Sequence, residues 1–380
     1  MADTMIVGLF VFISLKALSV YIFDARQYYQ KNRQGEVILQ TIKPIKLGSN
    51  KTSSNEKLGS AEMGKLWATY MGNSMSKCIL EYFLQHVEDN DIKTLLQNAL
   101  KLCEEFMKTT KEIFEKDGFP IPEGFGKDDV NLGAPRLFQD EYYVHYLKYT
   151  AKAGLSIYNV AIPLVFRKDV KEFFIQCMHS TISLMEQVKE ILIIKGYIIK
   201  PPIIPIPEKV EFVHKDFLNG FIGHVRPLHA LEIAHFYDNI ENNVTSKALI
   251  TAFAQIVKDE KIRELFEKGR EGTAKNLDRY MKMLTNESLP TPSYLDHLIT
   301  ESTFSPFSDK LMLFHKMDMF TMKIRAFGNS LAVNGRHDIG LLYTNSLMKV
   351  AVFVESAAKI MIEKGWMEQP PRAIDRKNNN

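Results

Sequence analysis

Apolar residues recur every three to four positions along four long stretches of the chain, and the same four-part pattern then starts again. The first set runs over roughly 61–88, 91–117, 138–166 and 168–196. The second runs over roughly 230–258, 260–286, 308–334 and 337–365. Each stretch is too long for a strand and has the period of an amphipathic helix, so an all-α protein is predicted. Within each set the first and second helices are joined tightly, at Asp89-Asn90 and Asp259-Glu260. The third and fourth are joined as tightly, at Arg167-Lys168-Asp169 and Arg336-His337-Asp338. Connections this short make antiparallel neighbours.

The link between helices 2 and 3 is different. It carries Pro and Gly and shows no helical period, over Phe119–Arg136 in one set and Leu289–Pro306 in the other. A loop of that length can travel the height of a bundle and set helix 3 parallel to helix 2. One long crossover at this point is the ferritin-like arrangement of a four-helix bundle. The two sets also match residue by residue. Phe119-Pro120-Ile121-Pro122 recurs as Leu289-Pro290-Thr291-Pro292, and Gly196-Tyr197 with Pro201-Pro202 recurs as Gly365-Trp366 with Pro370-Pro371. Aligning 62–92 with 232–262 pairs Asn73 with Asn243, Ser76 with Ser246, Lys77 with Lys247, Gln85 with Gln255 and Asp89 with Asp259. Helical periodicity does not require polar identities, so the second set is a duplicate of the first.

The expected organisation is an extension over 1–56, a first bundle over 57–200, a Pro-rich strap over 201–227, a second bundle over 228–371 and a short tail over 372–380. The Ile-Pro alternation at Ile203–Pro207 reads as extended, because Pro removes a donor and fixes φ. Within the extension, residues 5–23 are apolar except for Ser14, Lys16 and Ser19, which is long enough for a single-pass membrane anchor. Arg26, Lys31 and Arg33 behind it would keep the body cytoplasmic. The competing reading is that the segment is untranslated. Gln34-Gly35-Glu36-Val37 is how a purine-rich ribosome-binding sequence reads in frame, with Leu39 as a start just downstream.

Composition narrows the function classes. Forty-eight Lys and Arg against 45 Asp and Glu leave a net charge of +3, which gives no footprint for nucleic acid. The three cysteines, Cys78, Cys103 and Cys177, fall in helical apolar patterns without the spacing of a disulfide framework, and read as buried small hydrophobes. No phosphate-binding glycine loop and no nucleophile elbow is present. Tyr142, Tyr143, Tyr146 and Tyr149 keep helical spacing and read as core or groove lining.

A di-iron site in such a bundle needs Glu from two helices and Glu-x-x-His from two more. Glu232-Ile233-Ala234-His235 has the spacing, but Glu62-Met63-Gly64-Lys65 in the first copy lacks the histidine. Glu232 is expected to serve the first turn of its helix, with His235 exposed or against the strap. His145 with His315, and Glu186 with Glu355, are read as matched positions of the two copies. By helical rise, His315 and Glu355 sit at similar depth in the second bundle. His315, Asp318 and Glu355, with Glu267 as a fourth, therefore form the candidate set for an iron or zinc ion. The competing expectation is a cofactor-free polar layer.

Leu66-Trp67-Ala68-Thr69-Tyr70-Met71, the Phe-Pro-Ile-Pro turn at 119–122, Asn131-Leu132-Gly133-Ala134-Pro135-Arg136-Leu137, Pro306-Phe307-Ser308-Asp309-Lys310-Leu311-Met312 and the closing Gly365-Trp366-Met367-Glu368-Gln369-Pro370-Pro371 carry a family resemblance. They resemble an uncharacterised domain-of-unknown-function family of spore-forming Firmicutes, a duplicated ferritin-like bundle sometimes labelled spore-coat-like. The resemblance spans residues 57–375 and implies the fold and a sporulation setting, with no catalytic residue to carry over. A non-enzymatic structural or interaction protein follows, cytoplasmic or spore-associated, with a protein partner or self-association. The alternative is a metal-binding or redox protein using the second bundle.

Overall fold

The computed structural model describes residues 29–31, 37–39, 56–198 and 200–376. The apolar segment 5–23 and residues 34–36 lie outside the described residues. The chain divides into two compact units, Met1–Thr52 and Ser53–Asn380. In the first, β1 (Tyr29–Lys31) pairs antiparallel with β2 (Val37–Leu39), with Gln30 opposite Ile38. The sequence reading placed no strand there, since three-residue strands are too short to show a period.

The second unit is helical. The first copy contributes α1 (Ser60–His86), α2 (Asn90–Lys116), α3 (Asp140–Ala161) and α4 (Lys168–Ile194). The second contributes α5 (Ala230–Ile256), α6 (Glu260–Thr285), α7 (Asp309–Val333) and α8 (His337–Glu363). Local chemistry fixes the ends. Asp89 accepts from the N–H groups of Asp91 and Ile92, and Asp259 does the same for Ile262, so α2 and α6 start on carboxylate caps. At the far ends of α4 and α8, Gly196 (φ 70°) and Gly365 (φ 67°) take the left-handed conformation that lets the next N–H reach back to Leu192 and Met361. Helix α3 stops at Ala161, five residues short of expectation, because Pro163 cannot continue it.

Each copy packs as two helical hairpins linked by the long crossover, which is the ferritin-like topology. A buried arginine fastens the second hairpin of each copy to the end of its second helix. Arg167 holds Asp117 and Asp169, and Arg336 holds Asp338 and lies 3.5 Å from Glu287. The arginines are buried while their carboxylate partners are part-exposed, so removing the carboxylates would leave a buried guanidinium.

The two crossovers meet. Val130 bridges Phe307 and Phe138 bridges Ile299, both antiparallel, with Asn131 N donating to Pro306 O and Gln139 N to Leu298 O. These contacts are related by exchanging the copies, so an approximate two-fold axis runs between the bundles. The register confirms it. Asp140 accepts from the N–H groups of Glu88 and Asp89, and Asp309 accepts from those of Lys258 and Asp259. The helix 1–2 joins are thus 170 apart, while the starts of helix 3 are 169 apart. The second crossover is one residue shorter. Tyr146, not His145, is therefore the counterpart of His315.

Candidate functional site

Helices α3 and α7 lie side by side along the axis, and counterpart residues touch. Tyr146 Oη lies 2.7 Å from His315 Nε2, and Arg325 Nε donates to Ser156 Oγ at 3.0 Å; both pairs are 169 residues apart. Two such pairs in register require the helices to run parallel. Tyr149 Oη donates to the carbonyl of Met319 at 2.6 Å and Tyr142 Oη to that of Thr245 at 3.3 Å. All four tyrosines at 142, 143, 146 and 149 are buried, as expected; Tyr142, Tyr146 and Tyr149 reach across the seam, while Tyr143 bonds Phe138 O and stacks on Phe83 within its own copy. Phe83 packs on Tyr146 at 5.2 Å and its counterpart Phe253 on His315 at 5.9 Å. Lys148 reaches Glu241 at 2.6 Å, and Lys152 pairs with Asp238, so charges rim the apolar seam.

The four candidate metal ligands do not converge. His315 is buried on Tyr146, and Asp318 lines a cavity with it. Glu355 faces solvent and pairs with Lys359 at 2.6 Å. Glu267 is also exposed. The rotation of these side chains about their helices separates them. Phe353 packs on Phe320 inside the bundle, and two residues further along a helix is about 200° of turn, which sends Glu355 outward. Glu267 follows the buried Phe266 by one position and is rotated out in the same way. Glu186 in the first copy is exposed too. Among the described residues no group of three or more His, Cys, Asp or Glu side chains is placed to hold a metal ion.

Glu232 does serve the start of α5. It accepts from the N–H groups of His229 and Gly335 and from both terminal nitrogens of Arg226, which ties the strap to the bundle. Its counterpart Glu62 accepts from Phe166 and Arg167 N–H groups. His235 is half-buried rather than exposed; its Nδ1 lies 3.3 Å from Ser330 Oγ on α7.

His315 and Asp318 project into a cavity of about 110 Å³ in the first bundle, walled by Leu102, Cys103 and Phe106. Burial, then the neighbouring Lys316, push the imidazole down to about 3, so it is neutral at physiological pH. Burial pushes the Cys103 thiol up to about 12 and the Tyr146 phenol well above its ordinary range. It also raises the Asp318 carboxyl. The imidazole, phenol and thiol all rest in their neutral forms, which suits packing rather than proton transfer near neutrality. His315 Nδ1 and Thr69 Oγ1 are buried without a partner among the described residues.

Sequence reasoning missed two buried lysines. Lys316 gives its ammonium to Ser246 O and Oγ and sits over the Phe320 ring; Lys323 sits over the same ring from the other side in sequence. The signal was available. Positions 316, 320, 323 and 327 form one helical stripe whose other members are Phe320 and Phe327, so both lysines stand where apolar residues belong.

Two copies of a crossover bundle, closed on each other about an approximate two-fold axis, define a duplicated ferritin-like helical protein. The chain belongs to the family described as protein of unknown function DUF3231, whose pattern matches residues 47–210 and again 216–378. It is similar to the uncharacterized protein YvdQ of Bacillus subtilis (strain 168), with 24% identity over 155 residues, 39% of this chain and 90% of that protein. It is also similar to a solved structure from Bacillus halodurans C-125, a protein provisionally assigned to the spore coat, with 17% identity over 40% of this chain and 98% of that one, at a TM-score of 0.36. Each of these matches has the length of a single copy. Among the described residues no helix is long and apolar enough to cross a membrane.

Proposed function

We propose that this chain is a non-enzymatic structural or interaction protein, a rigid pair of bundles that presents its strap to a protein partner in the developing spore. The exposed strap carries the reading. Ile203, Ile206, Val210, Phe212 and Ile222 are each at least 85% exposed along one irregular segment. Clustered apolar exposure of this kind marks interaction surfaces more often than solvated ones. The end of the strap is anchored on the second bundle through Arg226, which pairs with Glu232 and stacks on Phe217 at 4.1 Å. The neutral, packed groups of the cavity that His315 and Asp318 enter support a scaffold over a catalyst. The spore setting rests on the motif resemblance to a family of spore-forming Firmicutes.

The test is a fluorescent fusion in a sporulating host, as wild type and with the five strap residues changed to Ser. The expected result is wild-type signal concentrated on the forespore and a diffuse signal for the variant at unchanged melting temperature. Wild-type signal that stays diffuse through sporulation would refute the spore assignment. A variant that localises like wild type would refute the role of the strap.

A further inference from the structure

A cavity of about 300 Å³ opens from the surface into the second bundle, lined by residues from all four of its helices. Leu265, Phe320, Val350 and Phe353 wall it, and Lys323, Asn276, Asn243 and Thr273 are its buried polar groups. Lys323 is 1% exposed, with its ammonium 4.3 Å from the Phe320 ring centroid and no hydrogen bond or ion pair among the described residues. That contrasts with Lys316, whose ammonium is satisfied by Ser246. Asn276 is 4% exposed and its Oδ1 is buried without a partner among the described residues. A deep ammonium without an anion and a deep amide oxygen without a donor thus line one space. Lys268 and Lys349 add positive charge where the cavity opens, and no carboxylate lines it.

The first bundle shows what this cavity looks like without those groups. Its smaller cavity lies at the corresponding place, lined by Asn73, the counterpart of Asn243 in the second. In the register set by the crossovers, Lys323 replaces Gly154, Asn276 replaces Phe106 and Gly272 replaces Leu102. A Cβ on Gly272 would meet nothing within 4 Å, so the lost leucine side chain is not refilled by neighbours. The second copy has gained volume, a cation and an amide together. An unpaired buried ammonium is costly to fold, and a ligand that supplies the missing anion offsets that cost.

We propose that this cavity binds a small monocarboxylate with an apolar body, its carboxylate on Lys323 Nζ and its body against Phe320, Val350 and Phe353. A single deep cation without arginine or a helix N-terminus suits one negative charge rather than a phosphate. The site is independent of the strap.

Titration calorimetry on the full chain tests this with hexanoate, its neutral isostere hexanamide, and the variants Lys323→Met and Gly272→Leu. Hexanoate is expected to bind with a dissociation constant of ~1 mM or tighter, and hexanamide about tenfold or more weaker. Lys323→Met should lose hexanoate about tenfold or more while melting no lower than wild type, which separates lost contact from lost fold. Gly272→Leu, which restores the residue of the first copy, should abolish binding of both probes. Equal affinity for hexanoate and hexanamide, undiminished hexanoate binding in either variant, or no binding well above ~1 mM would overturn the proposal.

Discussion

Replacing Lys323 by Met should stabilise the protein, and by an amount that depends on pH. The ammonium is buried against Phe320 without an anion, and burial pushes it from its ordinary 10.5 to about 7. Displacing a titration that far corresponds to about 5 kcal/mol against the charged folded form, at about 1.4 kcal/mol per tenfold change. The sign follows from proton counts. Between about 7 and 10.5 the unfolded chain holds a proton on this lysine that the folded chain lacks, so wild-type stability rises with pH across that window. Below it, both states are charged and the full cost of burial applies. The variant has no such group and should be more stable by several kcal/mol near pH 6, with the advantage shrinking by about 3 kcal/mol on going to pH 9.5. Urea unfolding of both proteins at stepped pH, followed by circular dichroism, measures this directly. Lys316 is also buried and is displaced downward first by burial and then by Lys323, so the variant relieves part of that displacement too. A difference that stays constant from pH 6 to 9.5, or a variant less stable than wild type throughout, would refute the reasoning.

Three further outcomes follow from the same contacts. Tyr146→Phe removes the partner of His315 Nε2 and leaves a buried imidazole unsatisfied, so it should cost about 1–3 kcal/mol in urea unfolding. Ser288 has φ 59°, where its counterpart Gly118 has φ 63°; Ser288→Gly should therefore raise the melting temperature by relieving about 1 kcal/mol. Glu355→Ala changes only an exposed pair with Lys359, so melting temperature and zinc content of the purified protein should both match wild type; a variant that loses bound zinc would restore the ligand set that the structure separates.

The helices, their order and the crossover were legible because each rests on a local signal. Helix ends fall within a few residues of the predicted ones where Asp89, Asp259, Gly196 and Gly365 mark them, and the largest miss is the end of α3, where Pro163 intervenes. The site was less legible for two physical reasons. Helical rise gives depth well but rotation poorly, and an error of two residues swings a side chain to the opposite face, as it did for Glu355. The second reason is the missing residue in the second crossover, which moves the counterpart of His315 from His145 to Tyr146. That single shift hid the two-fold contact, since Tyr146 and His315 look unrelated as residue types. An apolar face announces burial without naming what buries it, so the tyrosines of α3 could not reveal that they meet a second bundle.

The central claim is that the two copies form one body through their crossovers and through α3 and α7, with the strap adding nothing to their cohesion. A protease site introduced at Glu208, in the exposed part of the strap, tests it: cleave the folded protein and run it on size exclusion under native conditions. The predicted result is that both fragments co-elute at the volume of the intact 43.6 kDa chain. Separation into two half-size species would contradict the account, because it would show that the strap, and not the buried seam around Tyr146 and His315, holds the bundles together.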